Sequence, residues 1–160
     1  MITQNKLALL SEFNSALKEN DDIYRGLSKF YGLSECTLWI LYTLRVSETP
    51  VTQSDICGVM FQPKQTVNSA LKKLENEGYI KLNNATNKRF KEIYLTESGI
   101  TLAQNTVDHV ILAETEALST MSSEEFTSFL HLLGKYTKTL KHQMDKVKHL
   151  TNNSNYKKGF

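Results

Sequence analysis

The spacing of apolar positions predicts a mainly helical chain that is interrupted once by two short strands. From Leu7 to Tyr31, apolar side chains keep a helical spacing that loosens near residues 20–22, which predicts one long or kinked helix. Ser34 and Glu35 supply a capping side chain and an acidic first turn for a second helix. That helix ends before Pro50, because the residue ahead of a proline disfavours the helical conformation.

Two shorter helices are predicted next. Thr52 and Asp55 have the spacing of a capping box, which predicts a third helix over about residues 53–60. The fourth helix is expected between Pro63 and Glu77. Proline lacks an N–H and suits the first helical turn, and Gly78 suits the position just past the end.

The fourth helix has one apolar face and one polar face. The apolar positions follow the i, i+3, i+4, i+7 pattern and are Val67, Ala70, Leu71 and Leu74. This face is therefore expected to pack inward. The outer face carries amides, hydroxyls and cations, which hydrogen-bond to base edges and phosphates. These outer residues are Lys64, Gln65, Asn68, Ser69, Lys72 and Lys73.

A β-hairpin is predicted directly after the fourth helix. Residues 79–82 and 92–95 alternate between apolar and polar side chains, as short strands do. The segment 83–91 between them is polar, rich in turn formers and basic at its end. A short capped helix, a tight connection, a polar-faced helix and a basic hairpin together indicate a winged helix-turn-helix, a fold that reads duplex DNA.

The C-terminal third is predicted to be two long helices. Thr96 begins a fifth helix that extends to about Leu118, and Ser122 and Glu125 form a second capping box that opens a sixth. One side of the sixth helix is apolar at Phe126, Phe129, Leu130, Leu133, Leu140, Met144 and Val147. So long a stripe has to be covered, and pairing with a second copy of the chain is the simplest cover. Residues 151–160 are polar and are expected to form a mobile tail.

Composition is that of an ordinary globular chain. A length of 160 residues with 40% hydrophobic side chains suffices for one domain with a real core. No apolar run approaches the roughly 20 residues that cross a bilayer, and residues 1–6 do not begin a secretory signal. The sequence therefore predicts a cytoplasmic protein with no membrane partner.

Positive charge is concentrated where the patterning places the fourth helix and the hairpin. Residues 62–91 contain seven cations and two anions, a net charge of +5, and the remaining residues carry −3 to give the total of +2. A local basic patch on a nearly neutral protein indicates a polyanionic partner at one place. The alternative is a lysine-rich solvated surface without a partner.

Other candidate chemistry is sparse. Cys36 and Cys57 form no metal-binding or redox motif, so we interpret them as small core residues, with a redox switch as the alternative. The four histidines lack metal-ligand spacing, and they are His109, His131, His142 and His149. Without a nucleophile, phosphate loop or carboxylate pair, no enzyme activity, metal or cofactor is predicted. Two interpretations are open for four aromatic residues: they pack in the core, or they line a ligand pocket. These residues are Phe13, Phe30, Trp39 and Tyr42.

Several short motifs together resemble the MarR family of transcriptional regulators. The residues that carry the resemblance are Thr52-Gln53-Ser54-Asp55-Ile56, Pro63-Lys64-Gln65-Thr66-Val67, Leu71-Lys72-Lys73-Leu74-Glu75, Gly78-Tyr79-Ile80, Arg89 and Leu95-Thr96-Glu97-Ser98-Gly99. With the order of the flanking helices, the resemblance covers about residues 5–148. It implies a homodimer of winged helix-turn-helix lobes that represses or activates transcription from a pseudo-palindromic operator and responds, in many members, to a small-molecule effector.

The resemblance also implies a division of the chain. Residues 1–33 are expected to form an N-terminal dimerisation helix, residues 34–98 the DNA-binding lobe, residues 99–150 the C-terminal dimerisation helices and residues 151–160 a flexible tail. The alternative is a winged-helix module that docks on another protein and regulates it without reading DNA.

Site residues follow from the resemblance position by position. It places the fourth helix in the major groove, with candidate contacts at Pro63, Lys64, Gln65, Thr66, Asn68, Ser69, Lys72 and Lys73. Gln65 and Asn68 are the expected base readers. The start of the preceding helix contributes Thr52, Gln53 and Ser54, and the wing contributes Asn87, Lys88, Arg89 and Lys91. At the position of Asn87 the family often has an acidic residue, so here the wing arginine has an uncharged neighbour.

Overall fold

The computed structural model describes residues 3–59, 62–84 and 91–153. Within these ranges the chain forms helices and a small antiparallel sheet, which confirms the predicted fold class. The elements are α1 (Gln4–Phe30), α2 (Glu35–Val46), β1 (Val51–Thr52), α3 (Gln53–Val59), α4 (Lys64–Asn76), β2 (Ile80–Asn84), β3 (Lys91–Leu95), α5 (Glu97–Gln104), α6 (Val107–Ser119) and α7 (Ser123–Asn153). The chain divides into two compact units, Met1–Leu112 and Ala113–Phe160.

The helix starts in the first unit form as their sequences predict. At α2, the Ser34 hydroxyl oxygen accepts a hydrogen bond of 3.0 Å from the backbone N–H of Thr37. At α3, the Asp55 carboxylate accepts one of 2.8 Å from the Thr52 backbone N–H, and the Thr52 hydroxyl accepts one of 3.3 Å from the Asp55 N–H. These bonds use N–H groups that a helix end leaves unpaired. The predicted capping residue and capping box are confirmed.

Both ends of α4 also agree with the prediction to within a residue. Pro63 is the N-cap, and Glu77 is the C-cap. Gly78 has φ of 76°. Because side chains other than glycine are strained at such angles, this residue ends the helix and turns the chain into β2.

The predicted single helix from Thr96 to Leu118 is wrong, since the chain breaks into α5 and α6. The break lies at Asn105 and Thr106, which have low helix propensity and compete for backbone carbonyl groups. The Asn105 amide donates a 2.9 Å hydrogen bond to the Thr101 carbonyl oxygen, and the Thr106 hydroxyl donates one of 2.7 Å to that of Leu102. These bonds end α5 and redirect the chain.

The last helix begins with the predicted capping box. The Glu125 carboxylate accepts a 2.8 Å hydrogen bond from the Ser122 N–H, and the Ser122 hydroxyl accepts one of 3.2 Å from the Glu125 N–H. Helix α7 continues to Asn153, so the first three residues of the predicted tail, 151–153, are helical. Residues 154–160 lie outside the described ranges.

The sheet has three strands in the order β1-β3-β2, one strand more than predicted. The hairpin pairs Ile80 with Leu95 and Leu82 with Ile93, and Val51 of β1 lies opposite Ile93 on the other edge. A strand of two residues shows no alternation, so β1 could not be recognised from the sequence.

The core of the first unit lies between α2, α3, α4 and the sheet. Its fully buried members include Leu38, Ile40 and Leu41 of α2, Ile56 of α3 and Val67 of α4. Because three helices and the sheet share this core, α4 is held by its inner side and presents its other side to solvent.

Candidate nucleic-acid interface

Helix α4 presents the polar face that its sequence predicts. Val67, Leu71 and Leu74 are buried, with exposed fractions of 0%, 5% and 2%. On the opposite side Gln65, Ser69 and Lys72 are exposed. Their spacing of four and then three residues places them in one row along the helix. We call these three residues the outer ridge.

The other predicted contacts lie beside the outer ridge. Lys64 and Thr66 are exposed, whereas Asn68 is partly buried. The Ser69 hydroxyl donates a 3.0 Å hydrogen bond to the Gln65 carbonyl oxygen, so its oxygen remains available as an acceptor. Gln65 is exposed, has a side-chain donor and acceptor, and lies in the first turn of α4.

Lys73 does not lie with the outer ridge but near Glu77 and a cavity. Its ammonium group lies 3.9 Å from the Glu77 carboxylate. It also lines a cavity of about 260 Å³ between the turn from α1 to α2, the end of α4 and α5. The residues of this cavity are Tyr31, Gly32, Leu33, Ser34, Thr37, Lys73, Leu74, Glu77, Tyr79 and Leu102. The structure therefore separates Lys73 from the other predicted contacts.

At the start of α3, one of the predicted DNA-contacting residues, Thr52, is already hydrogen-bonded within the capping box. The Thr52 hydroxyl donates a 2.7 Å hydrogen bond to the Asp55 carboxylate. This bond and the bond from the Thr52 backbone N–H lower the pKa of Asp55. Gln53 is partly buried and Ser54 is exposed. Thr52 thus holds the helix start, while Ser54 is the more accessible polar side chain.

The hairpin adds a lysine that the predicted set omits. Lys81 of β2 is exposed and lies opposite Tyr94 of β3, whose hydroxyl donates a 2.7 Å hydrogen bond to Glu92. That bond raises the pKa of Tyr94. Lys81 belongs to the basic segment 62–91, so charge alone signalled it. Lys91 is exposed at the start of β3, whereas the predicted wing residues Asn87, Lys88 and Arg89 lie outside the described residues.

Three hydrogen bonds fasten the base of the hairpin to α5. The Thr96 hydroxyl donates one of 2.6 Å to the Gly78 carbonyl oxygen and accepts one of 3.1 Å from the Gly99 N–H. The Thr96 N–H donates one of 3.0 Å to the carbonyl oxygen of Tyr79. Thr96 caps α5 and ties the end of α4 to the end of β3 at the same time. The family-like motif Leu95-Thr96-Glu97-Ser98-Gly99 contains both Thr96 and Gly99.

An ion pair joins the end of α2 to the start of α6. The Arg45 guanidinium contacts both carboxylate oxygens of Asp108, at 2.7 and 2.5 Å. These hydrogen bonds lower the pKa of Asp108. The two residues are 63 positions apart, and no local pattern in the sequence signals their contact.

The cysteines and the aromatic residues differ in how deeply they are buried. Cys36 is buried and Cys57 partly buried, and both are free thiols. The Trp39 ring lies 4.8 Å from that of Tyr24 and 5.4 Å from that of Tyr42, whereas Phe30 is 81% exposed. In the portion of the chain that the structure describes, no group of three potential metal ligands occurs, and no helix is both long and apolar enough to span a bilayer.

A helix with one buried face and one exposed polar face, followed by a β-hairpin, defines a winged helix-turn-helix protein. Comparisons with known proteins give its family. The MarR family model matches residues 31–89. The HTH-type transcriptional regulator PecS of Dickeya dadantii (strain 3937) is 32% identical over 124 residues, which cover 74% of this chain and 75% of PecS.

Two solved structures are similar along nearly their whole length. NMB1585, a MarR family regulator from Neisseria meningitidis, has a TM-score of 0.74 at 20% identity, and the match covers 86% of this chain and 97% of NMB1585. The S. aureus MepR–DNA complex has a TM-score of 0.58 at 26% identity, over 86% of this chain and 96% of MepR. The chain belongs to the MarR family. Its similar proteins are transcriptional regulators and not enzymes, in agreement with the prediction.

Proposed function

We propose that this protein is a transcriptional repressor or activator that binds a specific sequence in double-stranded DNA. The observation that carries the proposal is the outer ridge of Gln65, Ser69 and Lys72, exposed on a helix whose other side is buried. The ridge lies in the segment with a charge of +5, which favours a polyanion over a neutral partner. The similarity to MepR, which was solved with DNA, supports the same partner.

The first turn of α4 enters the major groove in this proposal. Gln65 reads a base there, since a glutamine amide pairs with adenine through two hydrogen bonds worth about 1 to 3 kcal/mol of discrimination. Asn68 is a second reader at the partly buried flank. Lys64 and Lys72 bind phosphates and so fix the register of the helix, with Thr66 and Ser69 between them. Pro63 sets the angle at which the chain enters.

Other contacts surround the recognition helix. We assign phosphate contacts to Gln53 and Ser54 at the start of α3. In the wing, Arg89 enters the minor groove, where a narrow A·T-rich segment attracts a guanidinium. Lys88, Lys91 and Lys81 bind the flanking phosphates, and Asn87 supplies a hydrogen-bond acceptor for Arg89.

A homodimer is part of the proposal. Helix α7 carries half-exposed apolar residues along one side, including Phe129, Leu130 and Met144, and α1 exposes Leu7 and Leu10. Covering these residues with a second copy removes apolar surface from water. Two symmetric lobes then bind half-sites about 10 base pairs apart in a pseudo-palindromic operator. Binding to a chromosomal operator also requires a cytoplasmic location.

We place regulation of DNA binding on a small-molecule effector. The support is the partly buried aromatic group of Tyr24, Trp39 and Tyr42, which offers flat apolar surface where α1 meets α2. The burial of Cys36 disfavours regulation through oxidation of its thiol. Burial raises the pKa of its thiol, which lowers the fraction of reactive thiolate.

Selection of binding sites from random duplexes, followed by titration across salt, tests the proposal. We expect an enriched palindrome with half-sites about 10 base pairs apart. The slope of log affinity against log salt is expected to fall by about 0.9 for each lysine–phosphate pair that Lys64→Ala or Lys72→Ala removes. The control is Lys73→Ala, because Lys73 faces the cavity beside α1 and α2. Failure to enrich any sequence would contradict the proposal and favour a docking module for another protein.

A further inference from the structure

A second concentration of positive charge lies outside the DNA-binding lobe. Residues 92–134 contain seven acidic residues and neither lysine nor arginine, whereas residues 135–160 contain seven lysines and one acidic residue, Asp145. The C-terminal segment therefore carries +6, more than the segment around the recognition helix. None of the proposed operator contacts uses this charge.

The charge is ordered along one side of α7. Six residues follow one another at intervals of four, three, four, four and three positions, which places them in a single row on a helix. They are His131, Lys135, Lys138, His142, Lys146 and His149, and all are exposed. We call this row the lysine–histidine stripe.

The stripe lies on the opposite side of α7 from its apolar residues. At 100° per residue, Leu133 and Leu140 are turned by more than 120° from Lys138 and His142. A second copy that covers the apolar side therefore leaves the stripe in solvent. The proposed dimer has no use for these lysines.

Ion pairing within the chain does not explain the stripe. Among the residues that the structure describes, none of Lys135, Lys138 and Lys146 forms an ion pair. Asp145 instead contacts Lys148, at 2.9 Å. Attraction to the negative end of the helix is also insufficient, because that effect is confined to the last turn and Lys138 lies about four turns from Asn153.

We propose that the lysine–histidine stripe binds the phosphate backbone of duplex DNA without sequence preference, at a place separate from the operator contacts. Lysine is a point charge that binds single phosphates, and histidine adds N–H donors. The stripe has neither arginine forks for base edges nor aromatic rings for stacking on unpaired bases, which favours a duplex backbone. It is about 27 Å long, the length of roughly eight base pairs.

The test compares two triple variants of the full chain on a duplex of roughly 200 base pairs that lacks an operator. Lys135→Gln/Lys138→Gln/Lys146→Gln removes three stripe charges, and Lys6→Gln/Lys18→Gln/Lys29→Gln removes three exposed charges from α1. We expect the slope of log affinity against log salt to fall by about 3 for each stripe engaged in the first variant. In the control it stays at the wild-type value.

A bridging assay identifies the source of the phosphates. If the wild-type protein on an immobilised duplex retains a second labelled duplex and the stripe variant does not, the stripe binds another DNA segment. Alternatively, no bridging occurs, and the stripe variant lowers the slope of log affinity against log salt only on duplexes longer than the operator. The stripe then binds flanking DNA of the same molecule. Both results support the proposal.

Three results would overturn it. The first is a salt slope that the stripe variant leaves unchanged. The second is a stripe variant that sediments as a monomer, because the lysines would then belong to a subunit interface. The third is loss of binding to phosphatidylglycerol vesicles with DNA binding intact. Operator preference falls in Gln65→Ala if the proposed function is correct, whatever happens at the stripe, so the two proposals fail separately.

Discussion

Gly99 is the residue at which the hairpin base tolerates least added volume. A Cβ atom there would lie 1.9 Å from the Tyr79 carbonyl oxygen, which also accepts the Thr96 N–H. We expect Gly99→Ala to lower the free energy of unfolding by about 1 to 3 kcal/mol, as overpacking does. Urea unfolding measures this change. As a control, Gly26→Ala adds a Cβ with no heavy atom within 4 Å and is expected to gain up to about 1 kcal/mol. Equal stability of the two variants would contradict the close contact.

At the same scale, the sequence predicted buried residues better than specific contacts. The spacing of Val67, Leu71 and Leu74 was enough to determine which side of α4 is buried, because a helix repeats every 3.6 residues. The periodicity of apolar residues does not show how deeply a side chain at the edge of the polar face is buried. The sequence therefore did not distinguish the partly buried Asn68 from the exposed Gln65. The contact between Arg45 and Asp108 depends on how two distant helices pack, which no local pattern encodes.

At the scale of elements, the ion pair of Arg45 and Asp108, which joins α2 to α6, is expected to contribute to stability. The Arg45 and Asp108 side chains are 33% and 27% exposed, so solvent screens the pair and we expect Asp108→Asn to cost only about 1 kcal/mol. The pKa of Asp108 is lowered in the native state, so its contribution is complete above the unfolded-state pKa of about 3.9. As the pH falls through the lower native-state value, that contribution is lost.

Unfolding in urea at a series of pH values measures this dependence. The stability difference between the wild type and Asp108→Asn is expected to stay constant from about pH 8 to pH 5 and to shrink below about pH 4. Asp145→Asn is the comparison variant: Lys148 also lowers the pKa of Asp145, so the sign of the pH dependence is the same, but its size is expected to be smaller because this pair lies within one exposed helix. A difference that grows on acidification would contradict the assigned direction of the pKa.

Elements were predictable where their ends carry a local signal. The capping side chains of Ser34, Thr52 and Ser122 lie close to the N–H groups that they accept, so three helix starts could be predicted. The break at Asn105 and Thr106 lacks proline or glycine, and the apolar spacing continues across it. Strand β1 depends on β3 for its existence, because a strand of two residues is stable only as part of a sheet.

For the whole molecule, the proposed operator binding depends on the proposed dimerisation through the apolar side of α7. We expect the wild-type protein to sediment at twice the chain mass of 18.3 kDa. Phe129→Asp/Leu133→Asp introduces two charges where half-exposed apolar residues lie, and is expected to sediment as a monomer. Its operator affinity is expected to fall about 10²- to 10⁴-fold, because two lobes joined in one dimer bind the second half-site at high effective concentration.

Thr127→Asp/Ser128→Asp is the matched control for this change. It places the same two charges in the same turn of α7, on exposed residues away from the apolar side. We expect this variant to remain dimeric. Ser128 lies three positions before His131 and so continues the lysine–histidine stripe, and DNA binding is therefore measured on a duplex no longer than the operator, where we expect an affinity within a few-fold of wild type. If both variants weaken DNA binding equally while both stay dimeric, charge on α7 and not subunit pairing controls affinity. A monomeric apolar-side variant with wild-type affinity would show that a single lobe suffices, and the palindrome would then have no structural basis.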